Sequence, residues 1–196
     1  MKKDTYTKVL LIGGLIFLTS LGRIITNHLA IWNFTAIGAC ALFGGVVLKD
    51  KKYAYLLPLA ALFLSDLFLQ LFTTIKGFYG WSMLFNYGAF MLTTFIGTRL
   101  KHASMGRIMV ASVGTGLLYF LISNFGVWAL QDMYPKTFVG LMHCYVSAMP
   151  FYQHDVFGSF FLNTILSNVF YTGLLFGAYA LLQPIFNREE QVANAN

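Results

Sequence analysis

Charge is what this chain of 196 residues most lacks. Only 10% of it is Asp, Glu, Lys or Arg, against about 25% in an ordinary soluble domain. Acidic residues are scarcest, 7 against 13 basic ones. The resulting charge of +6 forms no stripe interleaved with stacking aromatics, so nucleic acid is not an expected partner. Cysteine is nearly absent. Cys40 and Cys144 make no disulfide framework and no zinc or haem spacing. Proline is rare, 4 in all, and no Pro/Ser linker or internal repeat divides the chain. Recognisable catalytic patterns are missing too. There is no Ser-His-Asp order, no H-E-x-x-H and no phosphate-binding P-loop. Without an ATP site, a self-contained primary pump is excluded. The sequence calls for no cofactor and no resident metal.

What fills the chain is hydrocarbon. It is 58% hydrophobic and 17% aromatic, with a mean hydropathy of +0.67. The apolar residues gather into six runs: 8–27, 34–48, 53–72, 81–100, 105–130 and 156–183. A bilayer core about 30 Å thick needs about 20 apolar residues per helix. The expectation is therefore an all-α integral membrane protein, a six-transmembrane-helix bundle. It forms a single domain over residues 1–187, with a polar tail, 188–196, expected to fray. The first run lacks an A-x-A cleavage site and is expected to stay as an anchor.

The basic residues orient this bundle. Lys2, Lys3, Lys8, Lys49, Lys51, Lys52, Arg99, Lys101, Arg107 and Arg188 fall on one side of the threading, and cytoplasmic loops carry the excess of Lys and Arg. Both termini are expected in the cytoplasm, in a bacterial cytoplasmic (inner) membrane, with the lipid bilayer as first partner. Trp32, Trp81, Trp128 and Tyr134 then map to the outer interface, where such rings collect. Between the fifth and sixth runs, residues 136–149 are too polar for a lipid-facing span. Pro135 precedes and Pro150 follows them, which predicts a short outer interfacial or re-entrant helix. The second run is short and rich in small residues. Ala36, Cys40 and Gly44 recur every fourth position, as do Gly173 and Gly177. Such faces let helices approach closely, either inside the bundle or against another subunit.

Polar groups within spans are costly and mark interiors or sites. Arg23 and Asp66 lie at matching depth and are expected to pair across helices. Asn86, Asn124 and Asn163 all fall in the outer halves of their spans. A shared outward-open cavity would supply partners for such amides. Trp128 and Tyr145 are expected as its apolar wall, and 136–149, carrying His143, as its roof. The candidate ligand-binding residues are thus Arg23, Asp66, Asn86, Asn124, Trp128, Asn163, His143 and Tyr145. Asn33 is expected to cap the second span. His143 and Cys144 with His154 and Asp155 could supply soft metal ligands, although helical neighbours diverge by about 100°. Catalytic residues are not assigned. An intramembrane enzyme would have to draw on His143, Cys144, His154 or Asp66.

Residues 33–45, Asn-Phe-Thr-Ala-Ile-Gly-Ala-Cys-Ala-Leu-Phe-Gly-Gly, carry a resemblance. They are similar to the N-F-T-P-[IV]-G-A-x-A-L-F-x-G signature of a family of small bacterial membrane proteins, with Ala36 at the signature's proline. Leu57-Pro58-Leu59-Ala60 with Ser65-Asp66, the block Ser123–Trp128, and Tyr134-Pro135-Lys136-Thr137 with Gly140-Leu141 extend it over residues 10–183. That family resembles the S components of energy-coupling-factor transporters, including the solitary cobalamin-transporting kind. The resemblance implies a substrate-binding membrane subunit for uptake of a small vitamin-like molecule. Its implied partners are that small-molecule ligand, a coupling transmembrane subunit and a pair of ATPases. The competing expectation is a structural or assembly subunit of a membrane complex.

Overall fold

The computed structural model describes the backbone of residues 2–149 and 159–194, and the side chains of 11–149 and 159–181. Within these residues the chain is all helix and loop, without a strand. There are seven helices: α1 (Lys2–His28), α2 (Ile37–Val47), α3 (Lys51–Phe72), α4 (Met83–Thr98), α5 (Met105–Leu130), α6 (Phe138–Ser147) and α7 (Phe160–Asn194). Three are long and apolar enough to cross a membrane: α3, α5 and the Phe160–Leu181 part of α7. Their outward faces carry Phe63, Phe72, Val110, Leu121, Phe170 and Leu181, all exposed. An outer surface this apolar is consistent with lipid contact.

The core is built around the shortest apolar run. Of the 11 residues of α2, Ile37–Gly45 are all buried, because α1, α3, α4, α5 and α7 surround it. At about 1.5 Å per residue, α2 is shorter than the 34–48 run suggested. It is a wrapped central helix, and its small residues are spent inside. A Cβ on Gly45 would overlap the Thr94 carbonyl of α4, and one on Gly97 would sit 2.6 Å from the Leu42 carbonyl. Gly44 lies against the backbone of Ala54 in α3. Pro58 stands four residues after Ala54 and has no N–H to give its carbonyl. The close approach of α2 therefore falls where α3 has an unused acceptor. By contrast, Gly13, Gly14, Gly22, Gly173 and Gly177 meet nothing within 4 Å. The small-residue stripe of α2 is internal, and that of α7 is not.

Asn33 does not cap α2. It sits in the left-handed region at φ 64°, which Asn tolerates. The nearby cap bond is instead from the Ile37 N–H to Thr35 Oγ1, 3.3 Å. The expected short helix between the fifth and sixth runs exists as α6, capped by Thr137 Oγ1 accepting from the Gly140 N–H. It packs against α5. Lys136 donates to the Trp128 and Gln131 carbonyls at the end of α5, and Tyr145 Oη donates to the Leu121 carbonyl at 2.9 Å. Helix α7 runs through Asn194. The loops 29–36 and 73–82, which follow α1 and α3, meet at one end of the bundle, where both border one cavity.

Candidate functional site

At that end the loops turn inward. Gln70 of α3 accepts from the N–H groups of Gly77 (3.2 Å) and Phe78 (3.3 Å), folding the α3–α4 loop back over its own helix. Gly77 is obligatory there, since a Cβ would overlap the Asp66 carbonyl oxygen. Gly80, at φ +86°, completes the turn. The folded loop delivers Tyr79 to Asn86 of α4, whose amide donates to the phenol oxygen. Burial, and then the charge of Asp66, push the Tyr79 phenol above its ordinary range. On the far side, the loop before α2 is pinned to α7. Asn163 donates to the Trp32 carbonyl at 2.8 Å and Ser167 to that of Asn33 at 3.3 Å.

Arg23 and Asp66 form the expected ion pair, Nη1 to Oδ1 at 2.7 Å. Arg23 also donates to Ser65 at 2.8 Å, and Tyr87 Oη donates to Asp66 at 3.3 Å. Asp66 is 1% exposed and Arg23 14%. A buried carboxylate survives in such surroundings because it is both paired and hydrogen-bonded.

Three adjoining cavities open beside this pair. One, of about 200 Å³, is bordered by Asn33, Tyr79, Ser82, Asn86, Tyr119, Ser123, Asn124, Val127 and Phe160. A second, of about 240 Å³, reaches Arg23, Asn27, Trp32, Lys76 and Phe90 and shares Asn33, Tyr79, Asn86 and Tyr119 with the first. A third holds only about 10 Å³ and runs deeper, to Thr93, Thr115, Thr164 and Asn168. Asn33 and Tyr119 border all three. Among the described residues, no hydrogen bond within the protein uses the Asn33 amide or the Tyr119 hydroxyl.

Of the residues singled out in the sequence, Arg23, Asn86 and Asn124 come together on these walls, with Asp66 directly behind Arg23. Asn163 is fully buried and ties α7 to the loop before α2. Trp128, His143 and Tyr145 are not on the walls of these three cavities. Trp128 Nε1 donates to the Pro135 carbonyl at 2.9 Å, His143 is exposed, and α6 braces α5. Cys144 is buried, with its thiol 3.4 Å from the Asn124 carbonyl. His154 and Asp155 lie outside the described residues. Among those described, no group of three His, Cys, Asp or Glu side chains gathers.

Several wall residues were not picked out in advance. Asn168 breaks an apolar run as Asn163 does, and the same rule finds it. Tyr79 and Tyr119 gave no signal, because a tyrosine in a membrane-like sequence reads as an interface residue.

An all-α protein with three membrane-capable helices, closed around a central small-residue helix and holding a polar cavity at one end, is the class these features define. The chain belongs to the Family of unknown function (DUF6580), whose model matches residues 3–191. No curated protein and no solved structure matches it.

Proposed function

We propose that this is a membrane protein that binds a small molecule in the cavity bordered by Arg23, Asn33, Asn86, Tyr119 and Asn124, and admits it from outside the cell. The carrying observation is the pair of adjoining cavities, about 200 and 240 Å³. Neither alone reaches the roughly 300 Å³ at which small-molecule sites begin, and together they exceed it. Their walls mix rings with a few amides and one guanidinium, the composition such sites need. Asn86 and Asn124 spend one amide donor each within the protein, on Tyr79 and on the Phe120 carbonyl, and their amide oxygens are left facing the cavity with the Asn33 amide, which a stable fold does not require. The volume suits a molecule of one or two rings better than a corrinoid.

Six crossings with both termini cytoplasmic put this cavity at the outer face. The basic residues of loops 48–52 and 99–107 support that orientation through their preference for the cytoplasmic side. In this reading the protein acts like the substrate-binding S component of an uptake system. Capture occurs in the cavity, and a coupling subunit with its ATPases drives release inward. A second reading, a subunit of a larger membrane assembly, draws on Gly13, Gly14, Gly173 and Gly177, which leave open space on α1 and α7.

The test compares wild type with Asn124→Leu, both purified from native membranes. Denaturing each and analysing the released small molecules by mass spectrometry should give a compound that is stoichiometric in wild type and depleted in the variant. Identical small-molecule content in two equally folded samples would overturn the binding reading.

A further inference from the structure

The charges around the cavity are unequal, and the imbalance bears on what enters. Arg23 and Lys76 border it. Among the described residues, no Asp or Glu stands on any of the three cavity walls. Behind Arg23, the Asp66 carboxylate is 1% exposed and cancels one positive charge. Lys76 supplies one more. A single negative charge balances the set. A dianion would carry charge without a partner in a medium that solvates it poorly.

The hydrogen-bonding geometry points the same way. A guanidinium has five N–H donors in a rigid fork. Among the described residues, Arg23 spends only Nη1, on Asp66 and Ser65. Nε and Nη2 remain, and that edge matches the two oxygens of a carboxylate. Beside it stand apolar groups. Phe90 stacks on Tyr119 with centroids 4.8 Å apart, and Leu62 and Leu69 border the same cavity. An apolar body would lie there, with its anionic end on Arg23.

We infer that the occupant is a small organic monocarboxylate, held at its carboxylate by Arg23, with Lys76 balancing the charge. This rests on the binding reading above and names its ligand class.

The test uses the full chain in nanodiscs of neutral lipid. Trp81→Phe and Trp128→Phe leave Trp32, which borders the cavity, as the sole tryptophan. Benzoate and hexanoate are titrated, each against its primary amide, and Trp32 emission is followed. At least one acid should bind saturably and about tenfold or more tighter than its amide, as a charge-assisted bond requires. Lys76→Gln should weaken the acid and leave the amide unchanged. Arg23→Gln combined with Asp66→Asn removes both charges of the pair and should abolish the preference. Should that double variant fail to fold, the acid-to-amide ratio and the Lys76→Gln arm decide. Equal affinity for acid and amide overturns the carboxylate assignment while the cavity stands as a binding site. No response to any of the four compounds overturns both.

Discussion

At the residue scale, the costliest positions are those where a side chain would meet backbone. Gly77 is one: a Cβ there runs into the Asp66 carbonyl, and the carbonyl belongs to a helix that cannot yield. Gly77→Ala should destabilise the protein by about 2–4 kcal/mol, read as a lower midpoint of thermal unfolding in detergent. It should also release Tyr79 from Asn86. The Arg23–Asp66 pair is costly for a different reason. Removing either partner strands the other where water does not reach it. Asp66→Ala or Arg23→Ala should each cost about 3–5 kcal/mol, the aspartate change less because the Arg23 it strands stays 14% exposed. The double change should cost well under the sum. Additive losses in that cycle would show the two groups to be uncoupled.

At the scale of elements, helix α2 shows how a short apolar segment becomes the centre of a fold. It has no polar face to turn outward, and its Gly and Ala residues allow five helices to close on it. The crossing with α4 is the tightest point, with Gly45 against Thr94 and Gly97. Gly97→Ala should therefore cost about 2–3 kcal/mol through overpacking. Gly88 and Gly173 share similar apolar helical settings but face open space. Gly88→Ala and Gly173→Ala should be neutral or stabilise by up to about 1 kcal/mol, the ordinary gain in helix propensity. A uniform response across these glycines would show that backbone contact does not separate them. Helix α6 belongs to the same logic. Gly140 admits the Pro135 carbonyl at a point where a Cβ would overlap it, and that carbonyl accepts from Trp128 of α5, which holds α6 against α5.

At the scale of the whole molecule, the open question is which end faces outward. Cysteine introduced at Lys51 or Lys101 should react with an impermeant thiol reagent only from the cytoplasmic side, and at Lys76 or Gln131 from outside. Cys144 is replaced first, although it is buried. Labelling of position 101 in intact cells would reverse or break the six-crossing arrangement. The same result would move the Arg23 cavity to the inner face and remove the basis for uptake from outside.

The helical class, the run 105–130 that coincides with α5 at both ends, the existence of α6 and the pairing of Arg23 with Asp66 were all legible in the residue order. These follow from local rules: length and hydropathy make a helix, and a buried charge needs its opposite. The same order also located two of the three outer amides on one cavity, Asn86 and Asn124. The rest depended on how the helices pack. Trp128 and Tyr145 brace α5 and α6 and His143 is exposed, because depth along a helix does not specify the direction a side chain points. Asn163 was expected on a cavity wall and instead holds the Trp32 carbonyl. Tyr79 and Tyr119 reached the walls through a loop folded by Gln70 and through the packing of α5 against α4 and α7. Such packing is set by which glycines meet which backbone, a property of pairs of helices that no single segment records.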